Sequence, residues 1–202
     1  MNIRHISEEA PKIKCIDPLS EFLGSFEGGV IEYDFEYIAK LTGHACPTVL
    51  TAYLSSLAVA KALYGASEPV RGEIQISLRD DKDVGTTGVF ALVFGAIFGA
   101  GDEGGFGGIG GLFDRSNRLE FGAKITEFAS FCRNDTKECV TLDFNFAPIQ
   151  KIATPDIGVA LQGFKKQGDI SAFQAGWIAK LEFIVKNFEN MGVAIVKNSN
   201  KI

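Results

Sequence analysis

The hydrophobic positions divide the chain into stretches of helical and of strand periodicity. From residue 47 to residue 64, apolar side chains recur every three or four positions and cover most of a helical circumference. Pro47 suits a first helical turn, and Gly65 follows the last apolar position. We therefore predict a long, central, buried helix. Residues 87–98 are apolar on all sides, and the length of this run favours a second buried helix.

Shorter segments complete the pattern, and two of them begin with an aspartate suited to cap a helix, Asp17 and Asp34. The polar segment RNDTKE separates two alternating stretches and predicts a hairpin turn. The further predicted helices cover residues 17–24, 34–41, 155–165 and 170–187, and the predicted strands cover residues 29–33, 71–79, 121–131, 139–146 and 191–196. This order indicates an α+β fold, with a mixed or antiparallel sheet packed against the long buried helix and with C-terminal helices.

Composition and net charge indicate the number of domains and the classes of partner to expect. Hydrophobic residues make up 46% of the 202 residues, which is enough for one sizeable core, and we predict a single domain over residues 1–202. The net charge is −5 and no dense Lys/Arg block occurs, so nucleic acid and anionic membranes are not expected as partners. The longest charge-free apolar run, residues 88–101, is too short for a membrane span.

The cellular location is predicted from the N-terminal segment and the cysteines. Residues 1–15 carry acidic side chains and no apolar run of the signal-peptide type, so we expect a cytoplasmic protein. Four cysteines in a chain of this length do not indicate a disulfide scaffold. In the cytoplasm we expect them to be reduced thiols.

The segment GHACPTV, residues 43–49, places scarce residue types together, since the chain has only two histidines and four cysteines. With Pro47 at the first helical position, Cys46 becomes the N-cap, where free backbone N–H groups favour an anion such as a thiolate. Neutral imidazole from His44 and a thiolate are both good zinc ligands. Spacing alone leaves three interpretations open: a metal site, an activated catalytic thiol at Cys46, or a buried cap residue.

The segment GAGDEGGFGGIGG, residues 99–111, is predicted to be a loop because so many glycines disfavour both helix and strand. It contains a GxGxxG pattern, but the strand before it and the helix after it that a dinucleotide site needs are not predicted. We expect Gly101 and its neighbours to form a flexible pocket wall. Asp102 and Glu103 are candidate metal or proton-transfer groups, or solvated loop acids.

Arginines near this loop suggest an anion site. Arg71 and Glu73 flank Gly72 at the start of a predicted strand, where alternation puts them on one face. In that position they are suited to bind a carboxylate or phosphate and to supply a base. Arg115 and Arg118 follow the glycine loop and are suited to hold an anionic ligand. The alternatives are a surface ion pair and a solvated turn. We predict a cofactor-binding or small-molecule site at Arg71, Glu73, Gly101 and Arg115.

Two motifs carry a resemblance to a known family. GHACPTVLTAYLSSLAVAKAL resembles the signature of the FmdE family, which is named after a subunit of formylmethanofuran dehydrogenase and in which a His-x-Cys-Pro element runs directly into a long helix. DVGTTGVFALVFGAIFGAGDEGG is similar to that family's apolar helix with its glycine-rich turn. The resemblance covers residues 33–121. Two positions where family members often have a metal-ligand type hold Thr42 and Ala96 instead.

The resemblance implies a small α+β homodimer with a transition metal, usually zinc, held by His44 and Cys46. Asp102, Glu103, water, a small molecule or the partner chain would complete the metal's ligands. The preferred hypothesis is a metal-binding protein that handles a metal or cofactor in redox or one-carbon metabolism. The alternatives are a redox enzyme that uses Cys46 as its thiol and a module that binds haem or another planar or anionic cofactor. Whether the chain is an enzyme stays open.

Overall fold

The computed structural model describes residues 3–153 and 156–199. Within these residues the helices are α1 (Arg4–Glu9), α2 (Pro18–Phe22), α3 (Phe35–Thr42), α4 (Pro47–Tyr64), α5 (Thr87–Phe98), α6 (Ala147–Gln150), α7 (Ile157–Lys165) and α8 (Ser171–Met191). The strands are β1 (Ile13–Ile16), β2 (Val30–Tyr33), β3 (Ile74–Leu78), β4 (Leu119–Glu120), β5 (Ala129–Arg133), β6 (Cys139–Phe144) and β7 (Ala194–Ser199). The predicted α+β class is confirmed.

The strands form two sheets. β1 and β2 pair antiparallel in a small ribbon, with Ile13 opposite Tyr33. The larger sheet has the order β4-β3-β5-β6-β7 and is mixed, since the β3–β4 pair is parallel and the other pairs are antiparallel. The β5–β6 hairpin surrounds the predicted polar turn.

Helix α4 is the central element, as its all-round apolar pattern predicts. It packs against α3, α5 and α8 and against strands β6 and β7. Tyr53, in the middle of the helix, is fully buried, and its hydroxyl donates to the carbonyl oxygens of Pro11 at 2.7 Å and Tyr33 at 3.1 Å. These bonds tie the small ribbon to the long helix.

Helix α5 packs its phenylalanines against the larger sheet. Phe90, Phe94 and Phe98 recur every four residues, so they share one face. The ring of Phe131 on β5 lies edge-on to Phe94 and Phe98, with centroids 5.1 and 5.9 Å apart. Phe90 contacts Phe144 of β6 in the same layer. This contact between helix and sheet forms one side of the core.

Helix starts agree closely with the sequence prediction. Asp17 caps α2 by accepting the N–H groups of Leu19 and Ser20, and Asp34 caps α3 by accepting the N–H group of Tyr37. Cys46 occupies the N-cap of α4, directly before Pro47. Each cap satisfies backbone donors that have no partner inside the helix.

Several boundaries differ from the prediction. Strand β3 begins only at Ile74, so Arg71 and Glu73 lie in the turn before it rather than on one face of a strand. The predicted strand 121–131 is mostly irregular, and β5 starts at Ala129. Elements α1, β1, β4 and α6 were not predicted because each is too short to show a period. Pro155, the predicted start of α7, lies outside the described residues.

The cysteine prediction was wrong for one pair. Cys132 and Cys139 lie directly opposite each other on β5 and β6 and are disulfide-bonded, whereas Cys15 and Cys46 are free thiols. Hairpin register decides this pairing, since it brings two residues seven positions apart into contact.

No helix within residues 3–153 and 156–199 combines the length and the apolarity that a membrane span requires.

Candidate functional site

The His-x-Cys segment forms a tight turn between two helices. Gly43 ends α3 in the left-handed conformation, with φ of 79°, and Cys46 opens α4 in an extended conformation. The Cys46 sulfur accepts the N–H group of Val49 at 3.4 Å, so it takes the role of an N-cap acceptor. The side chain is half-buried and remains accessible from solvent.

The imidazole of His44 is exposed and orientated by the backbone. Its Nδ1 lies 3.1 Å from the carbonyl oxygen of Thr42. A carbonyl oxygen can only accept, so Nδ1 carries a proton, and the neutral form of this imidazole has its lone pair on Nε2. Thr42 closes the turn from the other side, because its hydroxyl lies 3.0 Å from the carbonyl oxygen of His44. Thr42 therefore has a structural role in this turn.

Helix α8 covers the backbone of this turn. The indole N–H of Trp177 donates to the carbonyl oxygen of Ala45 at 2.9 Å, and Phe173 stacks on the indole ring. The C-terminal helix thus fixes the residue between His44 and Cys46. A shallow hollow beside His44 is lined also by Glu36 and Lys40.

The four predicted metal ligands do not form one group. Asp102 accepts the Gly104 N–H at 3.0 Å and pairs with Lys82 at 3.2 Å, and these two contacts lower the pKa of its carboxyl group. Glu103 is exposed in the same loop. Among residues 3–153 and 156–199, no three His, Cys, Asp or Glu side chains are grouped to hold a metal ion. His44 and Cys46 therefore need ligands from outside this set for a closed zinc site.

The predicted arginines meet around a buried carboxylate. Asp17 is 2% exposed, and its two oxygens accept Nε of Arg71 at 2.8 Å and Nη2 of Arg115 at 2.5 Å. The same carboxylate caps α2. Nη1 of Arg71 also donates to the Tyr33 hydroxyl and to the carbonyl oxygens of Ala96 and Ile97. Both guanidinium groups are therefore held in fixed orientations.

These arginines line a pocket of about 280 Å³, which we call the arginine pocket. Its walls come from the start of α2, the turn before β3 and the end of the glycine-rich loop. The lining residues are Pro18, Leu19, Arg71, Gly72, Glu73, Gly111, Leu112, Phe113, Asp114, Arg115 and Arg118. Three of the four predicted cofactor-binding residues, Arg71, Glu73 and Arg115, are thus brought together. Cys46 is not among the lining residues, so it and the arginines do not line a common pocket.

Two guanidinium groups share one paired carboxylate beside the arginine pocket, whose lining also includes Glu73 and Asp114. Asp17 is the only carboxylate among the described residues that lies within 4 Å of Arg71 or Arg115. Among the described residues, the Arg118 side chain makes one long hydrogen bond, from Nε to the carbonyl oxygen of Asp114 at 3.5 Å. Asp114 itself accepts the hydroxyl and the N–H of Ser116, which lower the pKa of its carboxyl group. Guanidinium N–H groups therefore remain available to a ligand.

The fourth predicted residue, Gly101, supports the arginine pocket from behind. Its N–H donates to the carbonyl oxygen of Arg115 at 2.8 Å, and its own carbonyl oxygen accepts the N–H of Arg118 at 2.8 Å. A side chain here would place Cβ 2.6 Å from the Cα of Gly105, so only glycine fits. Gly101 holds the backbone of both arginines and is not among the residues that line the arginine pocket.

No sequence pattern indicates the central role of Asp17. Its position before a proline predicts the helix cap, and this local role accounts for the residue type. Its partners lie 54 and 98 positions along the chain, a separation that no periodicity reveals. The available signal was the set of arginines near the glycine loop, which requires a negative partner once it is buried.

Comparison with protein-family models and with curated proteins finds no match to this chain.

Proposed function

We propose that the chain binds a small anionic ligand in the arginine pocket. The observation that carries the proposal is the arrangement of Arg71 and Arg115 on one buried carboxylate. Two positive charges there face one negative charge, and their side chains are only 10% and 17% exposed. Removing charges from water is costly unless they are paired, so a further anion at this place is favoured.

The chemistry of the walls fits a carboxylate or phosphate. Guanidinium groups present planar arrays of N–H donors that match such anions, and their orientation is already fixed by Asp17, Tyr33 and the backbone. Fixed donors bind more tightly because less side-chain entropy is lost on binding. Glu73 lines the same pocket and has no ion pair among the described residues. Its carboxylate can accept a hydrogen bond from a hydroxyl or ammonium group of the same ligand.

Arg118→Gln provides the test, because the Arg118 side chain makes one long hydrogen bond, at 3.5 Å, and no ion pair among the described residues. Isothermal titration with inorganic phosphate and with acetate at low ionic strength should show binding to the unaltered chain. The affinity should fall about tenfold in Arg118→Gln, in line with the loss of one charge-assisted hydrogen bond.

Arg79→Gln is the matched control, since Arg79 is exposed, pairs with Asp80 and lies outside the arginine pocket. Its affinity for both anions should equal that of the unaltered chain. The proposal fails if neither anion binds, or if the two variants bind them equally well.

A second candidate function, binding of a transition metal, is supported by the orientation of His44. Metal-ligating histidines commonly donate their other ring N–H to a backbone carbonyl, as Nδ1 does here to Thr42. Nε2 and the accessible Cys46 sulfur then offer a nitrogen and a sulfur ligand, a pair that zinc accepts. Water, a small molecule or a second copy of the chain would supply the others.

Cobalt(II) titration tests this candidate, because a cobalt–thiolate bond gives a characteristic absorption. The band should appear in the unaltered chain and in Cys15→Ser, and it should be lost in Cys46→Ser. Cys15 is a suitable control because it is buried, and burial raises the pKa of its thiol to about 12. Trp177 fluorescence offers a second readout, since its indole contacts the turn itself. Equal absorption from Cys46→Ser would exclude the site.

A further inference from the structure

The lining of the arginine pocket continues into a patch of apolar side chains that are exposed in full or in part. Phe22, at the end of α2, is 63% exposed, and Leu112, at the end of the glycine-rich loop, is 62% exposed. Phe113 follows Leu112 in the chain, and its ring lies 5.3 Å from that of Phe22. We call Phe22, Leu112 and Phe113 the apolar rim. Leu112 and Phe113 also line the arginine pocket, so the two surfaces are continuous.

The backbone fixes the apolar rim in this exposed position. The tip of the loop is closed by two hydrogen bonds between Ile109 and Leu112, of 2.9 and 3.0 Å. Phe113 has a φ of 64°, a left-handed conformation that a bulky residue adopts only at a cost. Such outliers persist where the surrounding structure enforces them and are concentrated at ligand clamps. The exposure of the rim is therefore built into the loop.

The same two segments supply the charged floor and the apolar rim. Asp17 begins α2 and Phe22 ends it. Phe113 precedes Arg115 by two residues in the returning loop. The ring contact between Phe22 and Phe113 consequently joins the same two segments that the ion pair of Asp17 and Arg115 joins.

The size of the arginine pocket limits how much of a ligand it can enclose. At about 280 Å³ it lies just below the usual range for small-molecule sites. The remainder of a larger ligand has to extend past the opening, where it meets apolar and aromatic surface. Aromatic and aliphatic groups gain most from such contact.

We propose that the ligand is an amphipathic anion, with a carboxylate, sulfonate or phosphate on Arg71, Arg115 and Arg118 and an aromatic or aliphatic body against the apolar rim. This inference rests on the proposed anion-binding function and specifies its ligand class. Continuity of the rim with the positive pocket favours this occupant over a second copy of the chain, which would suit this face only if it placed an acidic group over the arginines.

The test compares two probes with the same head group, methanesulfonate and naphthalenesulfonate, by isothermal titration. The naphthalene compound should bind at least about tenfold more tightly to the unaltered chain, because its ring contacts the apolar rim. Phe113→Ala should remove most of this gain, so that the ratio of the two affinities falls towards one. Arg118→Gln should weaken both probes.

Phe146→Ala is the matched control, because Phe146 is also a partly exposed ring stacked on another phenylalanine, Phe144, outside the arginine pocket. It should bind both probes like the unaltered chain. Equal affinities for the two probes would overturn the amphipathic ligand while leaving anion binding intact. Naphthalenesulfonate binding that is insensitive to Arg118→Gln would overturn both proposals.

Sedimentation of the same variants tests the alternative occupant of the apolar rim, a second copy of the chain. If Phe113→Ala abolishes self-association and leaves naphthalenesulfonate affinity unchanged, the apolar rim serves a second copy and the inference is wrong. An unchanged oligomeric state, together with weakened naphthalenesulfonate binding, supports it.

Discussion

Asp17 is the residue on which the arginine pocket depends. It is nearly inaccessible to water, caps α2 and pairs with two guanidinium groups. A buried ion pair contributes little net stability when intact, but removal of one partner leaves the other charge uncompensated. Loss of this carboxylate therefore lowers the free energy of unfolding by much more than the intact ion pair adds to it.

Asp17→Asn is expected to lower the free energy of unfolding by about 3–5 kcal/mol, as for other broken buried ion pairs. Urea unfolding followed by circular dichroism measures the change. Asp135→Asn is the control: Asp135 pairs with Arg133, but its side chain is 54% exposed, so the loss should stay below about 1 kcal/mol. Similar losses from both substitutions would contradict the central role of Asp17.

Asp135 also gives an expectation for the effect of pH. The Arg133 guanidinium lowers the pKa of the Asp135 carboxyl to about 2 from an ordinary value of 3.8. A lowered pKa in the folded state means that the pair stabilises the protein above pH 3.8 and that this contribution is lost as the pH falls towards 2. The difference in unfolding free energy between the unaltered chain and Asp135→Asn should therefore shrink over that interval. A difference independent of pH would show that the carboxylate has no such role.

At the scale of elements, Cys46 at the start of α4 has two roles that mutation can distinguish: it caps the helix, and it offers a thiol for chemistry. The sulfur accepts a backbone N–H, as an N-cap must, and serine can do the same with an oxygen. Cys46→Ser should therefore keep the stability of the protein, whereas Cys46→Ala should lower it by about 1 kcal/mol.

Thermal and urea unfolding of the two variants provide the measurement. Metal binding or thiol chemistry should be absent from both variants, so Cys46→Ser removes the chemistry without the structural cost. Equal stability of Cys46→Ala and the unaltered chain would mean that the cap does not contribute.

The glycine-rich loop is the second element with a defined role. Gly101→Ala brings Cβ against the backbone of Gly105 and the carbonyl oxygen of Arg115, so the loop has to shift. We expect a loss of about 1–3 kcal/mol, as for other overpacked sites, together with weaker phosphate binding because Arg115 and Arg118 move. Calorimetry for both quantities checks the prediction.

Gly107→Ala in the same loop is the control, since no atom lies within 4 Å of its added Cβ. It should leave both stability and phosphate binding unchanged. If Gly101→Ala also binds phosphate normally, the loop does not position the arginines.

At the scale of the whole molecule, one hydrophobic cluster runs through almost every element. It includes Ile6 of α1, the face of α4, the phenylalanines of α5, the inner strands and Ile184 of α8. Helices α2 and α7 are the exceptions, since neither has a buried residue. A shared core predicts that the elements unfold together.

We therefore expect a single cooperative unfolding transition without reductant. Trp177 fluorescence reports on α8 and the His-x-Cys turn, and far-UV circular dichroism reports on all helices. Their midpoints in urea should coincide. A separate, earlier fluorescence transition would show that the C-terminal helices are an independent unit and would contradict the predicted single domain.

The helix starts and the two buried helices could be predicted from the sequence because they depend on interactions between residues close together in the chain. Asp17, Asp34 and Pro47 mark helix starts through hydrogen bonds and dihedral limits that span a few residues, and the apolar runs of α4 and α5 record burial at each position. His44, Cys46 and the individual arginines were identified as candidates for the same reason, from residue type and immediate neighbours.

Only the tertiary structure decided which of these candidates act together. It placed Arg71 and Arg115 on Asp17, left Asp102 and Glu103 outside any grouped metal site with His44 and Cys46, and joined Cys132 to Cys139. Contacts between residues far apart in sequence depend on the packing of whole elements, and no local pattern encodes them. The sequence by itself determined the helices, strands and chemical groups of this protein, and packing determined which of those groups share a site.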